Sequence, residues 1–401
     1  MKPLIARTGL WFYPLALLAR FPFAMMSLGV LTLVVAARGS VELGGWNAAV
    51  IGLGMAIFGP LIGAAADHFG QRNTLLINGI VHSIALGLFA WLAYSPYPDW
   101  VMLIGAFFVG ASGAQASPMS RSRLVSIIQH ELPVEDRPRV LNTTLAYESV
   151  VDEIIYVFGP VAVGVLATAF GAAAPVIGSA VLTLIFVTLF ALHRTSQAMR
   201  SKEERALTLS PVSALWAPKI LIIVAGSAMM GMYFGSMITG LTSFVTDRGS
   251  PESAGVLYGV QGVGSGILAV AVAWFSPKFT LRYRWIVFAA VMVAGSIYLQ
   301  TVTDVTGMII ALAFAGLGVG PMLVTIFSLA AIRTPEGRSA TTMTMVGTGI
   351  TIGQSIAAAV TGVLSQNIGT AAGLVVPLIA TVLLLAIGFV NRSMTPKGGR
   401  E

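Results

Sequence analysis

Three carboxylates stand close together in an otherwise apolar run, Tyr147-Glu148-Ser149-Val150-Val151-Asp152-Glu153. If a helix begins near Leu141, a rise of ~1.5 Å per residue carries Asp152 and Glu153 roughly 16–18 Å into a hydrocarbon core of about 30 Å, close to its midplane. A carboxylate at that depth costs about 2.5–3.5 kcal/mol on insertion scales, so three on one helix require partners, water or protonation. At ~100° per residue Glu148 and Asp152 fall within about 40° of each other, with Gly159 continuing the stripe, whereas Glu153 points roughly 100° away from Asp152. Two chemistries fit: carrying a proton, or holding a cationic group of a solute. A purely structural cluster neutralised by Arg20 is the plainer alternative. Proton affinity of a carboxyl rises with desolvation and falls beside an arginine, so a movable arginine or a bound solute would switch it.

Arg20 is the only basic residue well inside the first apolar stretch. Pairing with the carboxylates is expected, and snorkelling to the interface is its alternative. Arg121 and Arg123 end the fourth stretch and read as interface anchors. A cavity for an amphipathic molecule would combine flexible apolar and aromatic surfaces with a few polar groups. Tyr233, Phe234 and Met25 are candidates for the first role and Gln261, Gln354 and Gln115 for the second, beside ordinary packing. Of four histidines His68, His130 and His193 fall in or at the edge of cytoplasmic segments and only His82 lies well within a stretch, with no metal-ligand spacing around it, and there is no cysteine. No lysine follows a glycine, which excludes the phosphate-binding G-x-x-x-x-G-K loop. Neither metal nor cofactor nor enzymatic activity is expected, and any pumping must draw on a gradient.

The elements that position these groups follow from composition. Of 401 residues, 56% are hydrophobic and 10% charged, against about a quarter charged in soluble domains, so the chain belongs in a bilayer. Twelve stretches reach the roughly 20 residues needed to cross one: 11–37, 43–65, 73–95, 99–120, 140–168, 172–193, 219–245, 254–275, 284–302, 305–331, 340–366 and 370–391. With both termini on one side, 20 of the 23 Lys+Arg fall on that side, only Arg38 and Arg248 on the other, and Arg20 within the first stretch. The positive-inside rule then places both termini in the cytoplasm, the first stretch being a retained helix of a multi-pass protein of the plasma or inner membrane. The same placement explains the net charge of +7 without nucleic acid.

A polar segment at 194–218 divides the stretches six and six, giving expected domains 1–193 and 219–401 joined by a cytoplasmic linker. A shift of 198 lays Asn142-Thr143-Thr144 on Ala340-Thr341-Thr342 and Gly164-Val165-Leu166 on Gly362-Val363-Leu364. The fifth and eleventh helices are therefore repeats, and the positions of Glu148, Asp152 and Glu153 correspond to Val346, Ile350 and Thr351. The expected fold is all-α: twelve transmembrane helices in two pseudo-symmetric six-helix bundles, with a solute site between halves that rock.

Two motifs carry a family resemblance. Gly63-Ala64-Ala65-Ala66-Asp67-His68-Phe69-Gly70-Gln71-Arg72 resembles the loop pattern G-x-x-x-D-x-x-G-R-R/K of the major facilitator superfamily, matching at Gly63, Asp67 and Gly70 with its basic position reduced to Arg72. The resemblance implies that Asp67 caps or pairs with a neighbouring helix end and stabilises the outward-facing arrangement. Gly159-Pro160-Val161-Ala162-Val163-Gly164 resembles the G-P-x-x-x-G core found in proton-coupled antiporters of that superfamily. Proline removes a helix hydrogen bond and glycine permits close backbone approach, which suits a packed bend. One departure stands out: Ala106 occupies the place, four residues before Gly110, where drug–proton antiporters have an arginine. The resemblance implies a monomeric secondary transporter exporting a small amphipathic compound in exchange for protons. A sugar or metabolite facilitator or symporter, and a non-transporting receptor on the same scaffold, are the alternatives.

Overall fold

A computed structural model describes residues 2–196, 209–248, 254–276 and 278–394. The described chain is helical and without a strand. In order its helices are α1 (Lys2–Thr8), α2 (Phe12–Arg38), α3 (Val41–Phe69), α4 (Gln71–Ala93), α5 (Asp99–Ala111), α6 (Ala116–Glu131), α7 (Arg137–Phe170), α8 (Ala174–Leu182), α9 (Thr188–Leu192), α10 (Pro218–Thr246), α11 (Ala254–Ala271), α12 (Leu281–Leu299), α13 (Val305–Arg333), α14 (Ser339–Asn367), α15 (Thr370–Gly373) and α16 (Val375–Met394). A π-helical turn, Thr183–Val187, joins α8 to α9. Every predicted stretch falls on helix. Among the described residues ten helices are long and apolar enough to cross a membrane. The fifth and eighth stretches lie on α7 and α11, whose described apolar segments include Val161–Phe170 and Leu257–Ala271.

Helix is the outcome hydrocarbon imposes, because it satisfies every backbone N–H and C=O within the segment. The exterior is correspondingly apolar, with Ile84, Trp91, Phe108 and Val165 about half exposed or more. The fourth stretch departs from expectation. Instead of one helix over 99–120, α5 stops at Ala111, residues 112–115 are not helical, and α6 runs on to Glu131.

The helices group into two compact units. The first comprises Met1–Arg137, Ile154–Ser210 and Pro335–Thr348; the second comprises Pro138–Glu153, Pro211–Thr334 and Gly349–Glu401. α7 and α14, the repeats of one another, are thus each divided between units. In the first unit α2 packs on α8, α3 on α5, and α4 on both α5 and α8. Its core includes Met26, Leu33, Ile51, Leu86, Phe89 and Met102. In the second unit the equivalent helices pair in the same way: α10 on α16, α11 on α13, and α12 on α13 and α16. Trp285 fills the centre there, its indole N–H donating to the Leu384 carbonyl at 3.0 Å.

Arg38 and Arg248, the two cations that the sequence sets apart from the rest, make similar contacts, each within its own unit. Arg38 ends α2 and donates to the carbonyls of Leu92, Ala93 and Ser95 at 2.8–3.1 Å. Arg248 follows α10 and donates to those of Phe244 and Thr303 at 2.9 and 2.5 Å. Each supplies donors to carbonyls that a helix end or loop leaves unmatched, so charge at these places serves the fold.

Candidate functional site

On α7, Glu148 is fully buried and Asp152 half-buried. Both engage in polar or electrostatic contacts, so neither is a free carboxylate. Four residues apart, they share one helix face. They belong to the second unit, and Arg20, 3% exposed on α2, belongs to the first. The side chains of Glu153 and Pro160 lie outside the described residues. Gly159 packs on α2: a Cβ there would meet the Ala24 methyl at 2.7 Å and its carbonyl oxygen at 3.1 Å. Gly164 has no such neighbour within 4 Å, so of the two motif glycines Gly159 alone makes a close contact. Ala106 is fully enclosed in the α3–α5 contact.

The loop motif has definite geometry. Gly70 adopts φ +93°, a conformation L side chains rarely take, and its N–H closes α3 on the Ala66 carbonyl at 3.0 Å. This turn sets Asp67 against the first residues of α14. One carboxylate oxygen accepts from the Ala340 N–H at 2.9 Å; the other accepts from the Thr341 N–H at 2.7 Å and from the Thr341 hydroxyl at 2.5 Å. The first N–H groups of a helix have no partner inside it and carry the positive end of its dipole, so a buried carboxylate is well matched there. Gly63 makes room: a Cβ on it would sit 2.9 Å from the Ala340 carbonyl oxygen. Of the two partners expected for Asp67, a helix N-terminus and an arginine, the helix N-terminus makes the hydrogen bonds and the nearby Arg338 guanidinium adds a favourable charge. Arg72 is half-buried on α4.

Arg123 corrects the reading of an interface anchor. It is fully buried, donating from Nε to Gln71 Oε1 at 3.1 Å and from Nη1 to the Phe190 carbonyl and Thr195 Oγ1, each at 3.1 Å. The guanidinium lies over the Phe190 ring, 4.2 Å from its centroid, and so ties α4, α6 and α9 together. Burial first, then the neighbouring Arg123 and Arg194 guanidinium groups, hold the His193 imidazole below its usual pKa.

The break at 112–115 was missed. Non-helical backbone at membrane depth persists only where protein or a water-filled cavity satisfies it. Here the Gly113 carbonyl accepts from Asn78 Nδ2 at 3.2 Å and from Gln115 Nε2 at 3.3 Å, while His82 Nδ1 lies 3.2 Å from Ser112 Oγ. A signal existed: Gly110, Ser112, Gly113, Ser117 and Pro118 crowd nine residues, a composition that punctuates helices. His82 therefore has a polar role, and no group of three or more metal-ligating residues occurs among the described residues.

The cavity candidates divide. Tyr233 is fully buried and donates to Gln261 Oε1 at 2.8 Å within the second unit. Its edge meets Phe234, which is half-buried. Met25 is fully buried in the first unit, and Gln354 is half-buried on α14.

The fold has solved counterparts. A bacterial homologue of the iron transporter ferroportin, crystallised in an outward-facing state with soaked iron, superimposes with TM-score 0.74 at 14% identity, covering 95% of this chain and 98% of that one. The human organic anion transporter MFSD10 (TETRAN) superimposes with TM-score 0.69 at 14% identity, covering 96% and 99%. No curated protein sequence is significantly similar. The family model described as Major Facilitator Superfamily matches residues 12–358. With that match over most of its length, this chain belongs to the Major Facilitator Superfamily of membrane transporters.

Proposed function

We propose that the protein is a proton-coupled exporter of a small amphipathic compound, working by alternating access between halves 1–193 and 219–401 joined by the linker 194–218. The observation that carries the reading is the complete burial of Glu148 one helical turn from Asp152 on α7. A buried carboxyl changes charge only when its surroundings change, which is the property a coupling group needs. In this mechanism a proton taken up from outside by the Glu148, Asp152 and Glu153 group is released inward when solute binding or helix movement alters its environment. Arg20 supplies the opposing charge in place of the arginine absent at Ala106. Asp67 holds the start of α14 while the protein faces outward, and the Gly159–Ala24 contact keeps α7 against α2 as the halves rock. The protein acts as a monomer in the plasma or inner membrane with both termini in the cytoplasm. Export of an organic solute accords with the organic anion transporter among its structural neighbours.

The test is flux in proteoliposomes under an imposed pH gradient. Solute efflux should rise with the gradient and fall by about two orders of magnitude in Glu148→Gln or Asp152→Asn, the scale set by loss of a positioned proton-transfer group. Gradient-insensitive flux in the unaltered protein, or full flux in both variants, would overturn the coupling role.

A further inference from the structure

At one end of the second unit, between the end of α10 and the end of α14, lies a cavity of about 310 Å³ lined by Thr242, Thr246, Asp247, Ser365, Gln366 and Thr370 among others. By the charge distribution this is the non-cytoplasmic end. Two other described carboxylates, one in each unit, have structural duties. Asp99 pairs with Arg38 at 3.6 Å, and Asp304 caps α13 by accepting from the Gly307 N–H at 2.7 Å. Asp247 has neither duty. Its neighbour Arg248 turns away to the Phe244 and Thr303 carbonyls and lies over the Phe244 ring. Asp247 accepts one hydrogen bond, from Thr370 Oγ1 at 2.6 Å on Oδ2, and among the described residues Oδ1 has no side-chain partner. The equivalent place in the first unit, just before Arg38, is Ala37, so the charge is peculiar to this half.

The hydroxyls around it are mostly committed as donors. Thr242 donates to the Ile238 carbonyl at 2.8 Å and Thr246 to the Thr242 carbonyl at 2.7 Å, leaving their lone pairs to the cavity as Thr370 does. Ser365 Oγ and the Gln366 amide can donate as well as accept, but among the described residues the lining carries one carboxylate and threonines already committed as donors, which fits a ligand that is positive and rich in donors.

We infer that this cavity binds a small hydroxylated ammonium solute, its amine on Asp247 and its hydroxyls on the threonines. One carboxylate among neutral oxygens is a poor match for a divalent cation, which gathers several charged ligands. The site is independent of the α7 carboxylates and stands or falls apart from proton coupling.

Glucosamine tests it, with glucose as the neutral counterpart. Saturation-transfer NMR on the full chain in detergent, at a pH that keeps the amine protonated, should show glucosamine binding about tenfold tighter than glucose, as one charge-assisted contact provides. Asp247→Asn should weaken glucosamine binding about tenfold with an unchanged melting temperature, and Thr246→Val should weaken it by a smaller factor, as loss of one neutral acceptor. Equal binding of the two sugars, glucosamine binding unaltered in Asp247→Asn, or no binding at all would overturn the inference. So would Mg²⁺ binding that outcompetes glucosamine. No flux is measured, so an uncoupled transporter could still pass and a coupled one still fail.

Discussion

α7 and α14 are repeats of one plan, and they have come to opposite solutions. α14 is clamped at its start, where Asp67 takes up the N–H groups of Ala340 and Thr341, and its interior is uncharged and rich in glycine, alanine and threonine. Its Gly349 and Gly353 pack on the Val224–Met232 stretch of α10, and Gly231 and Gly235 of α10 pack on α14 in return. The Ile350 carbonyl lies against Gly231, the Gln354 carbonyl against Gly235 and the Ala228 carbonyl against Gly353. Two interlocked small-xxx-small pairs bring the backbones together, the packing that holds helices where apolar burial gives no drive. α7 has no side-chain cap at its N-terminus. One glycine of its motif touches α2, and its interior carries the acids. A helix locked by backbone contact has little room for a long acidic side chain, so backbone packing is prominent on α14 and the acids stand on α7.

Glycine replacement is the severest way to break that contrast. Gly353→Leu would drive a branched side chain into the Ala228 carbonyl, and the second unit should lose about 3 kcal/mol or more, read as a large fall in melting temperature or failure to fold. A normal melting curve would mean that the α10–α14 contact is not the rigid one. Asp67→Asn keeps the shape but replaces a charged acceptor by an amide at the α14 start. A loss of about 1–3 kcal/mol is expected, local to residues 339–344 and visible as faster amide hydrogen exchange there. Unchanged exchange would show that the clamp does not hold the helix. The mildest change sharpens the comparison from the other side. Gly164→Ala meets nothing within 4 Å and gains helix propensity, so melting should be unchanged or raised by no more than about 1 kcal/mol.

Much of the fold was legible because hydrocarbon leaves a long-range mark on composition: each crossing needs a run of apolar residues, and cations collect on one side. The interruption at 112–115 escaped because Ser112, Gly113 and Ala114 are small and only mildly polar or apolar, so with the one glutamine, Gln115, they barely dent an average over a membrane span. Arg123 was misread for a different reason. A cation at a helix end looks the same whether it reaches water or turns inward, and its partners Gln71 and Phe190 lie 52 and 67 residues away. The Gly-Pro motif was visible in sequence, but which glycine meets another helix depended on Ala24, far off in α2.

By itself the sequence determined that this chain is helical, membrane-embedded and duplicated, and that its anomalous charges sit on one helix of the pair. Those properties are sums over local residues and need no partner to be read. Tertiary structure alone decided that Asp67 belongs to the start of α14, 273 residues later, that Arg123 is interior, and that Thr370 bonds Asp247. Each is settled by which distant groups the packed chain brings within hydrogen-bonding reach, and no local pattern of residues encodes that distance.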